Sequence, residues 1–185
     1  LLKCQNSFIH SGIDISDSQL MYLDTQKNGS SQIKIFSFDT SKTIATQSQS
    51  ITDLAWHTES KQLAYVDNNH LLTTLTLDAD ANILSTKHTD LTEIIGVTNK
   101  TLSVDWYSSD TLLVSHENAL YWISSGELKS TQVLLNSNYI KSFSVDSSTQ
   151  ITALLNRENW DSHLRQLNDG QFQTIEKFLS GYYKE

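Results

Sequence analysis

A unit of strand, polar turn and strand recurs along the chain, and it constrains the fold more than any other sequence feature. The clearest copies are 51–67 and 101–115, and weaker copies lie at 13–24 and 140–155. In each clear copy an alternating apolar segment that contains a tryptophan precedes a polar turn and a second apolar segment. The copies recur about every 45 residues, which is the length of a four-stranded propeller blade.

Each copy continues with a short polar turn, a third apolar segment and a less regular fourth one. The predicted third strands are 33–38, 71–77, 119–123 and 163–167, and the clearest fourth strands are 82–87 and 172–178. Four short strands per unit with almost no helix predict an all-β fold, a β-propeller or partial propeller of about four four-stranded blades. We assign 1–185 to a single repeat domain, either complete or part of a larger propeller. Its units are about 8–50, 51–90, 91–138 and 139–185.

An insertion lengthens the junction between the second and third units. Its sequence from Thr89 to Gly96 predicts a helical turn that Thr89 or Asp90 caps and that ends at Gly96. Inserted loops often carry function because they tolerate variation on a rigid scaffold. A plain connector is the alternative interpretation.

Segment 53–66 resembles the WD40-like repeat of TolB-type propellers. That family shows an aromatic residue, a Ser-Pro-Asp-Gly-Lys-like turn and a Leu-Ala-Phe-like strand, which correspond here to Trp56, the turn 57–61 and Leu63-Ala64-Tyr65. The proline and glycine of the family's turn are missing. The resemblance implies a docking platform of the bacterial envelope, or the periplasmic sensor part of membrane-anchored winged-helix regulators similar to CadC and ToxR. It is also consistent with the gating domain of prolyl-oligopeptidase-like enzymes.

The charge of the chain argues against several classes of partner. The formal net charge is −8, and the 13 lysines and arginines are scattered. Because nucleic-acid surfaces need a basic patch, we expect no direct nucleic-acid binding by this segment. No apolar stretch approaches 18 residues, so we expect no membrane insertion either.

Local motifs for catalysis or cofactor binding are missing from the sequence. It contains no glycine-rich phosphate loop, no Gly-x-Ser-x-Gly, no His-Glu-x-x-His and no Cys-x-x-Cys. The nearest approach to a calcium loop is Asp78-Ala79-Asp80, which supplies too few carboxylates. The sequence therefore predicts a protein that is not an enzyme and that uses no cofactor and no metal.

Five residues are candidates for binding. Trp160 and Arg157 lie in a long turn of the fourth unit, and His70, His116 and His163 lie in or beside the turns between second and third strands. Such turns open on one face of a propeller, so the histidines would form a pH-sensitive or metal-binding rim. Equivalent turns on successive blades are too far apart to share one ion, and polar turn residues without a role are the alternative.

Three other residues favour structural roles. Trp56 and Trp106 recur at the same place in the repeat, which predicts that both fill the core between blades. His57 follows Trp56 directly, and we expect it to be a solvated turn residue.

The sequence supports three hypotheses about function. The first is a non-enzymatic binding or sensing module of a periplasmic or envelope protein, such as the sensor domain of a membrane-anchored winged-helix regulator. The second is a propeller accessory to a prolyl-oligopeptidase-like hydrolase, and the third is a cytoplasmic protein-interaction scaffold. The expected partner is a protein or a small ligand. Self-association is expected if the four units leave a strand edge open.

Overall fold

The structure of the protein is a computed structural model. It describes the backbone of residues 14–16, 19–25, 30–37, 40–47, 50–96, 102–117, 119–124, 131–134, 139–145, 150–156, 161–168 and 171–179. Side chains are described over 21–24, 30–35, 41–45, 50–96, 102–117, 119–124, 140, 143–145 and 150–153.

The described residues form sixteen strands in four sheets, and one short helix. The first sheet holds β1 (Asp14–Ser16), β2 (Gln19–Thr25), β3 (Ser31–Ser37) and β4 (Thr40–Gln47). The second holds β5 (Ile51–His57), β6 (Gln62–Asp67), β7 (Leu71–Leu77) and β8 (Ile83–Asp90). The third holds β9 (Ser103–Ser108), β10 (Thr111–His116), β11 (Ala119–Ser124) and β12 (Thr131–Leu134). The fourth holds β13 (Tyr139–Val145), β14 (Ile151–Asn156), β15 (Asp161–Asn168) and β16 (Gln171–Leu179).

Neighbouring strands in each sheet follow chain order, and antiparallel pairs join them in all four sheets. This arrangement confirms the predicted fold class of four-stranded blades. It follows from short strands separated by polar turns, because a short turn can only return the chain as an antiparallel neighbour.

The chain divides into two compact units, 1–104 and 105–185. In the first unit, apolar side chains of the first and second sheets pack into one core. Its buried members are Met21, Leu23, Ile33, Ile35, Ile51, Leu54, Leu63, Tyr65, Leu75 and Leu77. In the second unit, Leu113, Leu120 and Ile151 form a smaller cluster, against which partly buried residues such as Trp122 and Phe143 pack.

Burial in the second sheet falls from its inner strands to its outer one. Every residue of β6 after Gln62 is buried, so this strand is covered on both faces. In β7 buried and half-buried residues mix, and in β8 every residue but Thr89 is exposed. A strand that is covered on both faces reads as a continuous apolar run, and Leu63-Ala64-Tyr65-Val66 fits that description.

Among the described residues, four turns contain a residue other than glycine in the left-handed region, where a Cβ atom costs roughly 1–2 kcal/mol. These are Lys61 (φ 51°), His70 (φ 64°), Ala81 (φ 58°) and Glu117 (φ 52°). The chain has six glycines and no proline. Two of these turns, those of His70 and Ala81, are organised instead by an aspartate whose carboxylate accepts amides of the turn.

Trp56 and Trp106 differ in their place in the strand, contrary to the sequence alignment. The carboxylates of Asp53 and Asp105 each accept the amide of the following residue. Each also accepts an amide from the first strand of the following sheet, β9 for Asp53 and β13 for Asp105. Trp106 directly follows its aspartate, whereas Trp56 is the third residue after its own. Trp106 is buried, and Trp56 is half-buried against the core of the first unit. The aspartate, and not the tryptophan, marks the equivalent position.

Within the part of the chain that the structure describes, no helix is long and apolar enough to cross a membrane.

Candidate functional site

The turn between β6 and β7 is built around one carboxylate. Asp67 Oδ1 accepts the amides of Asn69 at 2.9 Å and of Leu71 at 3.0 Å. The amide of His70 donates to the Asp67 carbonyl at 3.1 Å. Asp67 is buried, while Asn68 and Asn69 are exposed. A single side chain thus fixes the turn and leaves two amide side chains facing solvent.

His70 is the predicted site residue that the structure describes most fully. Its side chain is buried at 7% exposure although its backbone occupies the left-handed region. Its carbonyl accepts the amide of Leu91 at 3.0 Å, which attaches the insertion to this turn. A buried histidine in a strained conformation is held there by its surroundings and not by local preference.

Asp90 lies next to this turn at the end of β8. Its Oδ1 accepts the hydroxyl of Thr92 at 2.6 Å and the amide of Thr92 at 2.9 Å. These hydrogen bonds lower the pKa of Asp90 below 3.8, and His70 lowers it further through its charge. The carboxylate is therefore ionised at neutral pH and organises the start of the insertion.

The insertion contains the helix α1 (Thr92–Ile95). The amides of Ile94 and Ile95 donate to the Leu91 carbonyl, and the amide of Gly96 donates to the Thr92 carbonyl. Gly96 has φ 75°, a conformation that other residues rarely adopt. The predicted helical turn and its end at Gly96 are confirmed. Its start differs from the prediction, because Thr89 and Asp90 both belong to β8 and Leu91 occupies the N-cap position, although the Asp90 carboxylate accepts the amide of Thr92.

We name the turn Asp67–Leu71 together with the segment Asp90–Gly96 the second-sheet rim. Its exposed side chains are amides and carboxylates: Asn68, Asn69, Asp90 and Glu93. Ile94 and Ile95 are half-buried beside them. Polar groups beside partly covered aliphatic side chains suit recognition of a protein surface, where both kinds of contact occur.

At the opposite end of this sheet, His57 holds the turn from β5 to β6. Its Nδ1 accepts the amide of Ser60 at 3.2 Å and lies 2.9 Å from the Ser60 hydroxyl. His57 is the last residue of β5 and is half-buried, so it belongs to the turn as expected but is only partly solvated. The sequence contains no signal for this role, because turn capping is usually performed by Asp, Asn, Ser or Thr.

His116 and His163 lie in the second compact unit. His116 is the last residue of β10, opposite Ala119, and is half-buried beside the turn, as predicted. Burial raises the pKa of Tyr121, which lies on the next strand, and the negative charge of Glu117 raises it further. His163 is the third residue of β15, opposite Leu155 and Lys177, and thus lies within the strand.

Trp160 and Arg157 lie outside the described residues, as does the side chain of His163. Their proposed binding role stays a prediction.

The loop 78–82 between β7 and β8, which is the nearest approach to a calcium motif in the sequence, is organised by its own hydrogen bonds. Asp78 Oδ1 accepts the amides of Asp80 at 2.9 Å and Asn82 at 2.8 Å, and Oδ2 accepts the Asn82 side-chain amide at 2.9 Å. The ammonium of Lys42 donates to the Asp80 carbonyl and to Asn82 Oδ1. Among the described residues, no group of three or more His, Cys, Asp or Glu side chains could hold a metal ion.

No protein-family profile matches the sequence, and no curated protein matches it. Similarity appears instead among solved structures. The WD40 domain of coronin from Toxoplasma gondii superposes with a TM-score of 0.59 at 9% identity over 91% of this chain and 45% of that one. TolB from Acinetobacter baumannii superposes with a TM-score of 0.62 at 8% identity over 85% of this chain and 40% of that one. This chain thus spans less than half the length of either protein.

At such low identity the likeness concerns the fold alone. Four antiparallel four-stranded sheets, with the likeness to both structures, show that the chain has the blade architecture of a β-propeller.

Proposed function

We propose that this chain is a non-enzymatic binding module that recognises a protein partner through the second-sheet rim. The observation that carries the proposal is the attachment of the insertion to the β6–β7 turn. Leu91 is fully buried and donates to the His70 carbonyl, so the exposed side chains of α1 and of the turn form one surface. Binding residues on loops that a rigid sheet positions are a common arrangement.

The proposal extends to a cellular setting. The resemblance of 53–66 to TolB-type repeats supports a periplasmic module of an envelope protein, including the sensor part of a membrane-anchored winged-helix regulator. A propeller accessory to a prolyl-oligopeptidase-like hydrolase and a cytoplasmic scaffold are the alternatives, and each rests on analogy of fold. A transmembrane segment and a winged-helix region encoded upstream would favour the regulator, and a Ser-His-Asp hydrolase encoded downstream would favour the accessory propeller. Neither flank would leave the scaffold.

Self-association belongs to the same proposal. In the second sheet the last strand, β8, is exposed at every residue but Thr89, and an exposed edge strand favours pairing with a further chain. Light scattering over a range of concentrations measures the solution mass. A mass that rises with concentration supports association of copies, and a constant monomer mass contradicts it.

Charge reversal at the rim tests the recognition surface. A photo-crosslinking group placed at Asn69 is used to capture partners from an extract, with Glu93→Lys as the rim variant and Glu59→Lys as the matched control. Both glutamates are exposed, and Glu59 lies in the β5–β6 turn at the other end of the sheet. We expect Glu93→Lys to abolish one crosslinked species that Glu59→Lys retains. Equal crosslinking in both variants would contradict the proposal.

A further inference from the structure

The last strand of the second sheet leaves one edge open. Among the described strands, β8 has a neighbour on one side only, and that neighbour is β7. Every residue of β8 except Thr89 is exposed. The pairing of β8 with β7 determines which backbone groups face the open edge.

One hydrogen bond fixes the orientation of the β8 backbone. The amide of Leu91 donates to the carbonyl of His70. The adjacent pair is Asp90 with Leu71, and in an antiparallel ladder such a bond leaves the amides and carbonyls of that pair pointing away from each other. Pairs of this kind alternate with hydrogen-bonded pairs, and the register of β8 is regular over 85–90.

Alternate residues of β8, namely Thr86, His88 and Asp90, therefore direct their amides and carbonyls to the open edge. The residues between them, Lys87 and Thr89, bond to β7 instead. Within the described part of the chain, no further hydrogen bond reaches the open amides and carbonyls. They form the β8 edge, an array of donors and acceptors that an extended strand of another chain can match.

The charge of the β8 edge favours a second copy of this chain as the added strand. The chain has a formal net charge of −8, but segment 85–90 carries a single lysine and a single aspartate, which cancel. Two copies therefore meet along a neutral segment, although their remaining surfaces repel each other. The edge also presents the same open groups on both sides of His88, so it is complementary to itself in an antiparallel, two-fold arrangement.

Two features of β8 restrict the register in which copies can pair. Leu84 is the extra residue of a β-bulge and ends the regular pairing on that side, so a register centred on Thr86 would run into the bulge. A register with Thr86 opposite the second copy's His88 would place the two Lys87 side chains opposite each other, which is destabilising. The register centred on His88 avoids both and pairs all the open residues.

We propose that two copies of this chain associate by adding β8 to β8, antiparallel and centred on His88. The amide of His88 then donates to the carbonyl of the second copy's His88, and Thr86 pairs with the second copy's Asp90. Lys87 lies opposite the second copy's Thr89, so like charges do not face each other directly. This pairing rests on the self-association in the proposed function, and it names the strand and the register through which the copies meet.

Amide hydrogen exchange of the full chain, followed residue by residue by NMR at increasing protein concentration, tests the pairing. Light scattering on the same samples gives the mass. The reporters are the amides of Thr86 and His88, and the controls are those of Lys87 and Thr89, which bond to β7 within one copy. We expect the mass to rise to that of a dimer. Over the same range, exchange at both reporters should slow by roughly tenfold or more, while both controls are protected already in dilute samples.

A pair of variants separates the backbone from the side chain. Thr86→Pro removes an open amide that makes no bond to β7, whereas Thr86→Val keeps it. We expect Thr86→Pro to need a roughly tenfold higher concentration or more for the same mass, and Thr86→Val to behave like the unchanged chain. The exchange measurement needs no variant, so it decides the question even if Thr86→Pro does not fold.

The outcomes distinguish this pairing from the proposed function. A dimer in which Thr86 and His88 exchange as fast as in dilute samples would overturn the pairing alone, because the copies would then associate through another surface. A monomer mass at every concentration would overturn both the pairing and the proposed self-association. A failed crosslinking experiment with Glu93→Lys would refute recognition at the second-sheet rim and leave the pairing standing.

Discussion

Two leucines of the second sheet differ greatly in burial and provide a sharp test of the packing. Leu63, on the inner strand β6, is fully buried in the core shared by the first and second sheets. Leu84, on the outer strand β8, is 66% exposed. Replacing a fully buried leucine by alanine removes its transfer free energy and leaves a cavity, at a cost of about 2–5 kcal/mol. Only about a third of the surface of Leu84 is out of water, so Leu84→Ala should lower the free energy of unfolding by about 1 kcal/mol or less.

Urea unfolding of Leu63→Ala, Leu84→Ala and the unchanged chain measures both effects as differences in the free energy of unfolding. We expect the midpoint of Leu63→Ala to fall strongly, since a loss of this size is a large part of the stability of a small domain. The midpoint of Leu84→Ala should hardly move. Similar losses in the two variants would refute the assignment of β6 to the interior and of β8 to the surface.

Three further predictions concern the turns. Ala81→Gly should raise the free energy of unfolding by about 0.5–1 kcal/mol, because Ala81 adopts a left-handed conformation. A lower melting temperature in this variant would contradict the prediction. Asp67→Ala should lower the free energy of unfolding by about 1–3 kcal/mol, because two amides of the β6–β7 turn lose their acceptor. An unchanged midpoint of urea unfolding would contradict this prediction. Hydrogen bonds lower the pKa of Asp78 and Asp110 below 3.8. Their contribution to stability is therefore complete above that value and is lost as the pH falls through the lower folded-state pKa values. Melting temperatures measured from about pH 5 to pH 2 should decline less steeply in an Asp78→Asn, Asp110→Asn double variant than in the unchanged chain.

The repeat predicted the architecture because strand and turn preferences are local. Alternation and turn residues placed the third strand 71–77 at its observed bounds, and Gly96 marked the end of α1. The register was harder to predict. The sequence repeat places Trp56 and Trp106 at the same position. The hydrogen bonds of Asp53 and Asp105 show instead that the two tryptophans occupy different positions along their strands. A single sequence does not contain this information, since it arises from contacts between residues that are 51 and 40 positions apart.

The candidate site was predicted in part. His70 and the insertion were both selected from the sequence, and the structure joins them through the His70 carbonyl and the Leu91 amide. The hydrogen bonds of Asp53 and Asp105 with the first strand of the next sheet were missed, because an aspartate within a strand has no distinguishing pattern in a single sequence.

The central claim is that the chain folds as sequential antiparallel four-stranded sheets. Cross-strand proton contacts measured by NMR test it most directly, because they report which residues face each other. The account predicts contacts between Leu63 and Leu75, between Leu72 and Thr89, and between Leu113 and Trp122. Contacts that pair β6 or β10 with strands other than their chain neighbours would contradict it.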